Sequence, residues 1–162
     1  MKFINTVKTE KIHCIVSKIE IQHIDSTGCV LISITDPDSD YIGITIREKY
    51  DDVLNIQFFD VTENTFVQIN STSKLLREPL TFEQGRVIKE FILKNKDKKF
   101  AIHCSAGISR SAAVGCAINC LLDCNGDIYE YQTGYSCAVK KHNRYHPNKT
   151  VFDRIIGVGN VS

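Results

Sequence analysis

Short apolar runs alternate with capped helical segments. This pattern predicts an α/β domain on a mainly parallel sheet of four to five strands, with helices on both faces. Two observations carry the prediction. The strand-like runs are near-continuously apolar, as in strands buried on both faces, and each is followed by a turn or a helix-opening motif. The chain has 162 residues, the length of one domain, so a single domain over residues 1–162 is expected. Three prolines, nine glycines and 43% apolar residues are ordinary globular usage and exclude disordered, collagenous and low-complexity classes.

In chain order, Ile12-His13-Cys14-Ile15-Val16 is β-rich and reads as the first strand. Ser17-Lys18-Ile19-Glu20 matches a capping box, so a short helix is expected toward Ile24, broken at Gly28. Cys29-Val30-Leu31-Ile32-Ser33-Ile34 reads as a continuous buried strand ending in the turn Thr35-Asp36-Pro37-Asp38. Val53 to Phe59 is another strand, ending at Asp60. Thr81-Phe82-Glu83-Gln84 is a second capping box. It opens a helix with Val87, Ile88, Phe91 and Ile92 on its apolar face and Arg86, Lys89, Glu90 and Lys94 elsewhere.

A charged turn, Lys96 to Lys99, precedes the strand Phe100 to His103. Ser111 to Leu122 carries no charge and is apolar all round, the mark of a buried helix. It is too short to span a bilayer. Asn125-Gly126 marks its stop. A helix around Tyr129 to His142 and one from Asn148 to Ile156, closed by Gly157, complete the chain.

The 20 basic and 19 acidic side chains leave a net charge of +1, so no nucleic-acid partner is expected. No membrane partner is expected either. The stretch from Met1 to Thr6 lacks the apolar core of a secretion signal. Seven cysteines, an odd number, then read as reduced thiols of a cytoplasmic protein. Cys116, Cys120 and Cys124 recur every four residues on one helix face. Three thiols with no histidine nearby read as buried core residues rather than a zinc site. No metal or other cofactor is expected. The basic cluster Lys140-Lys141-His142-Asn143-Arg144 reads as a solvated face, with contact to an anionic substrate as the alternative.

The segment that carries chemistry is His103-Cys104-Ser105-Ala106-Gly107-Ile108-Ser109-Arg110-Ser111. It runs from a strand end into the N-terminus of the buried helix. Backbone N–H groups of a tight loop at a helix N-terminus form a nest for an oxyanion. Gly107 permits a positive φ. Cys104, at the base of the loop, is expected to ionise readily beside the helix dipole and the amides. Arg110 offers a planar fork for two phosphate oxygens. A Cys-x5-Arg match arises by chance ~0.26 times in a chain of this composition; with the His, Gly and Ser in place the figure falls to roughly 3 in 100,000.

The pattern His-Cys-x-x-Gly-x-x-Arg-Ser resembles the phosphate-binding loop of the cysteine-dependent protein tyrosine phosphatases. The Ala106-Gly107-Ile108-Ser109-Arg110-Ser111 wording is similar to their compact dual-specificity branch, including phage and bacterial relatives. Leu31 to Pro37 and Asn143 to Asn148 also resemble segments of small relatives. The resemblance implies phosphomonoester hydrolysis through a phosphocysteine intermediate, with a phosphorylated protein or peptide as substrate. It implies that Cys104 is the nucleophile and that Arg110 and the amides of Ser105, Ala106, Gly107, Ile108 and Ser109 hold the phosphate. Ser111 matches the hydroxyl that stabilises the departing thiolate, and His103 the residue that orients the loop.

The family's general acid is usually an Asp on a mobile loop. Asp60 ends a strand and is the first choice, although its 44-residue gap to Cys104 exceeds that expected of compact relatives. The extra length is expected between Thr62 and Pro79. Glu63 and Asp36 are the competing acids. Asp60 as a turn carboxylate remains the alternative. Beside turnover of phosphoprotein stand two other readings. One is a module that holds a phosphorylated partner without hydrolysing it. The other is a phosphatase of RNA 5′-phosphates or phosphoinositides.

Overall fold

The computed structural model describes residue 4, residues 6–122 and residues 144–157. Strands β1 (Ile12–Ser17), β2 (Cys29–Thr35), β3 (Asp52–Gln57) and β6 (Lys99–Cys104) form a sheet in the order β1-β6-β2-β3, every neighbouring pair parallel. Between them lie β4 (Thr65–Gln68), β5 (Lys74–Arg77) and the helices α1 (Ile44–Arg47) and α2 (Phe82–Lys94). Helices α3 (Arg110–Leu121) and α4 (Lys149–Ile156) follow β6. Among the described residues, no helix is long and apolar enough to cross a membrane.

The near-continuous apolar runs have the expected cause. All seven residues of β2 are buried, because both faces of this central strand are covered. Val30, Ile32 and Ile34 join one core with α2, α3 and α4, while Cys29 and Leu31 join a second core with Ile21, Ile42 and Tyr50. The cover is unequal: three long helices lie on the first face, and a 3-10 turn (Glu20–His23) with the one-turn α1 on the second. A register shift between Ile12 and Cys14 in β1 explains why Ile12 and Ile15, three apart, both face the helical side.

Both capping boxes form. Glu20 N–H donates to Ser17 Oγ at 3.1 Å and Ser17 N–H to Glu20 Oε1 at 2.9 Å, though the expected helix is the single 3-10 turn. Thr81 and Gln84 make the same exchange at the start of α2. On α2, Gly85, Ile88, Phe91 and Ile92 are buried, whereas Val87, expected on this face, is half-exposed. A Cβ at Gly85 would overlap the Arg154 backbone, so this glycine lets α2 and α4 cross closely. Helix α3 is buried from Arg110 through Asn119. Cys116 lies in the core as expected, but Cys120 is exposed, while the neighbouring Leu121 and Leu122 pack against the core. The expected helix at Tyr129–His142, its neighbouring Asn125-Gly126 stop and Cys124 lie outside the described residues.

Two elements depart from the sequence reading. The strand expected to reach Phe59 ends at Gln57, and Phe58 and Phe59 form a non-strand segment leading to Asp60. The extra length between Thr62 and Pro79 is an antiparallel hairpin, β4–β5, forming its own two-stranded sheet. What matters for the site is the shared direction of the four parallel strands. Their carboxyl ends, Ser17, Thr35, Gln57 and Cys104, lie at one edge. The segments that follow them, with Lys18, Asp36, Asp60 and the 105–109 loop, therefore converge there.

Candidate active site

Cys104 is the last residue of β6 and is buried. Its Sγ accepts the Gly107 N–H at 3.2 Å and lies 3.1 Å from the buried Ser111 Oγ. Gly107 has φ +71°, and a Cβ there would overlap the Val16 and Ser17 backbone. A residue with a side chain is excluded on both counts.

The loop carbonyls are held from outside. Ser105 O accepts from Lys18 N–H at 3.3 Å, Ile108 O from His146 N–H at 2.9 Å, and Ser109 O from Asn148 N–H at 3.2 Å. Ala106 O accepts from Arg144 Nη2 at 3.4 Å. In a trans peptide, a C=O and the following N–H point opposite ways. The outward carbonyls thus turn the N–H groups of Ala106, Gly107, Ser109 and Arg110 into the loop. The Gly107 bond to sulfur is the visible instance. Such a ring of inward donors suits an oxyanion.

Arg110 opens α3 and is 4% exposed. Its Nη1 donates to Asp36 Oδ1 and to Phe58 O, both at 2.7 Å, and its Nη2 to Ser105 Oγ at 3.0 Å. Its Nε is buried and has no acceptor among the described residues. A buried donor without a partner is costly and calls for an explanation. An anion held in the loop would be one such acceptor.

His103 is buried on the opposite face of the strand. Its Nε2 lies 2.6 Å from Ser33 Oγ and its Nδ1 3.3 Å from Cys104 O. Burial pushes its pKa down to about 4, so the ring is neutral near pH 7. A carbonyl only accepts, so Nδ1 carries the proton and Nε2 accepts from the Ser33 hydroxyl. The ring holds the Cys104 carbonyl without adding charge to the loop.

The three candidate acids separate. Asp60 Oδ1 accepts from Ser109 Oγ at 2.8 Å and from Asn148 Nδ2 at 2.9 Å, which ties it to the loop. Asp36 is ion-paired with Arg110. Glu63 is exposed and lines the same surface cavity as Asp60, Ser109 and Asn148, but it makes no hydrogen bond to the 104–111 segment among the described residues. Sequence reasoning missed Ser33 and the Phe58 carbonyl. A lone hydroxyl within the apolar run of β2 was the available signal for Ser33; a backbone carbonyl offers none. Arg144 is not the solvated cation expected. It is largely buried, pairs with Glu20 through both guanidinium ends, and reaches the loop at Ala106. Burial pushes the Glu20 carboxyl up, but hydrogen bonds from Arg144 and Ser17 outweigh this and hold it below its ordinary value. The rest of that basic cluster, Lys140 to Asn143, lies outside the described residues. Among the described residues, no group of three or more His, Cys, Asp or Glu side chains could hold a metal ion.

The chain matches no protein-family model and no curated protein sequence. Solved structures do match. The Cydia pomonella PTP-2 phosphatase is 19% identical, with 94% of this chain and 88% of that one covered and a TM-score of 0.59. The human tyrosine phosphatase-like serine/threonine/tyrosine-interacting protein is 18% identical, with 86% of this chain and 80% of that one covered and a TM-score of 0.51. With its parallel sheet, its flanking helices and the β6–α3 loop at the carboxyl edge, this chain has the fold of the cysteine-dependent tyrosine phosphatases.

Proposed function

We propose that the protein hydrolyses phosphomonoesters of proteins or peptides, as a tyrosine or dual-specificity phosphatase. The observation that carries this reading is the Arg110 Nε, unpartnered among the described residues, beside a loop of inward N–H groups with a cysteine at its base. In the first step the Cys104 thiolate attacks phosphorus. The S–P bond forms, the ester P–O bond breaks, and Asp60 gives a proton to the departing oxygen. In the second step water attacks the phosphocysteine, Asp60 takes its proton, and the S–P bond breaks. The Ser111 hydroxyl then donates to the departing thiolate, from which it stands 3.1 Å. Arg110 and the loop amides stabilise the charge on the equatorial oxygens throughout.

The chemistry assigns no role to a metal. The side chains at 105, 106, 108 and 109 include no cation, which favours a monophosphorylated residue over a multiply charged phosphoinositide headgroup. Buried thiols at Cys14, Cys29 and Cys116 fit a reducing, cytoplasmic setting.

The test is hydrolysis of p-nitrophenyl phosphate and of phosphotyrosine and phosphoserine peptides by wild type and Cys104→Ser. Wild type is expected to turn over and the variant to bind without turnover, because its hydroxyl is far less ionised while the amide ring survives. Binding with no turnover by wild type would instead establish a phosphate-binding module. Faster turnover of 5′-phosphorylated RNA or a phosphoinositide would move the substrate class.

A further inference from the structure

Asn148 makes more bonds than a helix cap requires. It is 5% exposed and precedes α4, where its Oδ1 accepts the Val151 N–H at 3.1 Å. That is the capping bond. Its backbone N–H donates to Ser109 O in the loop. Its Nδ2 donates to Asp60 Oδ1 at 2.9 Å and to Val61 O at 3.2 Å. Two positions on, Thr150 Oγ1 donates to Thr62 O at 2.8 Å. The first turn of α4 thus holds residues 60, 61 and 62 one after another.

The residue type is informative. Asn, Asp and Ser cap helices about equally well, so capping alone does not call for an amide. Only asparagine caps with its oxygen while donating two further bonds with its nitrogen. Aspartate here would set a second carboxylate against Asp60. Both donors to Asp60, Ser109 Oγ and Asn148 Nδ2, use Oδ1. Oδ2 makes no hydrogen bond among the described residues and is the oxygen left to pass a proton.

We infer that Asn148 is a positioning residue that latches Asp60 onto the loop, with Thr150 as a second tie, so that the acid stands in place before substrate arrives. The inference rests on the reading of Asp60 as the general acid. It also departs from the expectation of a mobile acid-bearing loop.

The test is steady-state kinetics on aryl phosphates graded from p-nitrophenol to phenol as leaving group. The variants are Asn148→Asp, Asn148→Ser, Thr150→Val and, as reference, Asp60→Asn, each with a thermal melt. The two Asn148 variants keep an N-cap acceptor and lose the amide donors. For them kcat on phenyl phosphate is expected to fall roughly 10-fold or more, against less than about 3-fold on p-nitrophenyl phosphate, with KM within about 2-fold. Thr150→Val keeps the cap untouched and is expected to shift the same ratio less; it decides the matter if the Asn148 variants fold poorly. An equal loss on every leaving group assigns Asn148 a purely structural role and overturns the inference. If Asp60→Asn steepens the leaving-group dependence and the other variants do not, the latch is wrong while the acid stands. If Asp60→Asn leaves that dependence unchanged, the acid assignment falls and the latch with it.

Discussion

The β6–α3 loop and the β4–β5 hairpin follow strands of the same sheet but are built in opposite ways. The loop is short, and Cys104, Gly107, Arg110 and Ser111 within or beside it are buried. Four of its carbonyls are held by donors from two other segments, Lys18 after β1 and residues 144–148 before α4. The hairpin bonds chiefly to itself and leaves Phe66, Ile69, Leu75 and Leu76 exposed to a third or more. One tie to the rest is Arg77, stacked 4.8 Å from the centre of the Phe59 ring. The difference teaches where order is needed. Peptide dipoles stabilise a transferring phosphoryl group only if they are already oriented when charge develops, so the loop must be fixed by its surroundings. A two-stranded hairpin has no such requirement and is marginal by itself.

The comparison is broken most sharply at the bonds between loop and acid. Under the proposed mechanism, Asp60→Asn removes the proton donor while keeping its size. A fall of ~10²–10⁴-fold in kcat on a phosphotyrosine peptide is expected, shrinking with better leaving groups. If Glu63→Gln shows that pattern instead, the acid belongs to the segment leading into the hairpin, and the contrast fails.

Arg110→Lys is expected to cost about 10²–10³-fold in kcat/KM, close to the effect of Arg110→Ala. A lysine cannot keep the bonds to Asp36, Phe58 O and Ser105 while presenting two donors to phosphate. A near wild-type rate for the lysine variant would mean that charge alone suffices and that the fork geometry is unused.

The rigid support behind the loop also has a pH signature. The His103 pKa is about 4 when folded, against an ordinary value of 6.5. Below pH 6.5 the unfolded chain takes up a proton that the folded protein refuses. The contribution to stability is therefore whole above about pH 6.5, declines as pH falls toward 4, and levels off below. The total is roughly 3 kcal/mol from one group. Urea melts between pH 4 and 7 measure it, and His103→Gln is expected to flatten that part of the curve. An unchanged curve in the variant would assign the acid sensitivity to other groups.

The smallest effects belong to the hairpin. Phe66→Ser and Ile69→Ser are expected to alter stability by no more than about 0.5 kcal/mol and p-nitrophenyl phosphate turnover by less than about 2-fold. A rise in KM for phosphopeptides, with the small substrate unaffected, would make the hairpin part of the substrate surface and narrow its distance from the loop in function.

Elements whose cause is local were legible. The runs at Ile12, Cys29 and Phe100 declare strands because both their faces are covered, and the boxes at Ser17 and Thr81 declare turns because their side chains reach backbone three residues away. Val87, Cys120 and the end of β3 were misread because the choice between half-buried and exposed depends on what packs alongside. The hairpin was visible only as excess length. Within the site, Cys104, Gly107, Arg110 and Ser111 fall in one short motif and could be read together. The placement of Gly107 and Ser111 at the Cys104 sulfur follows from a strand, a tight turn and a helix start in succession.

The tertiary structure decided what the acidic side chains meet. Asp36 and Arg110 are separated by 74 positions in the chain, and Asp60 and Asn148 by 88. Nothing in either local sequence states that one carboxylate orients an arginine while another is tied to the cysteine loop. The order β1-β6-β2-β3 states it. It places β2 directly beside β6, so the residue after β2 reaches the base of α3, and the longer segment after β3 swings over to Ser109 and the first turn of α4. Local sequence chooses strand, turn or helix through bonds a few residues long, whereas the meeting of strand ends is set by the register of a whole sheet, which is a property of every strand at once.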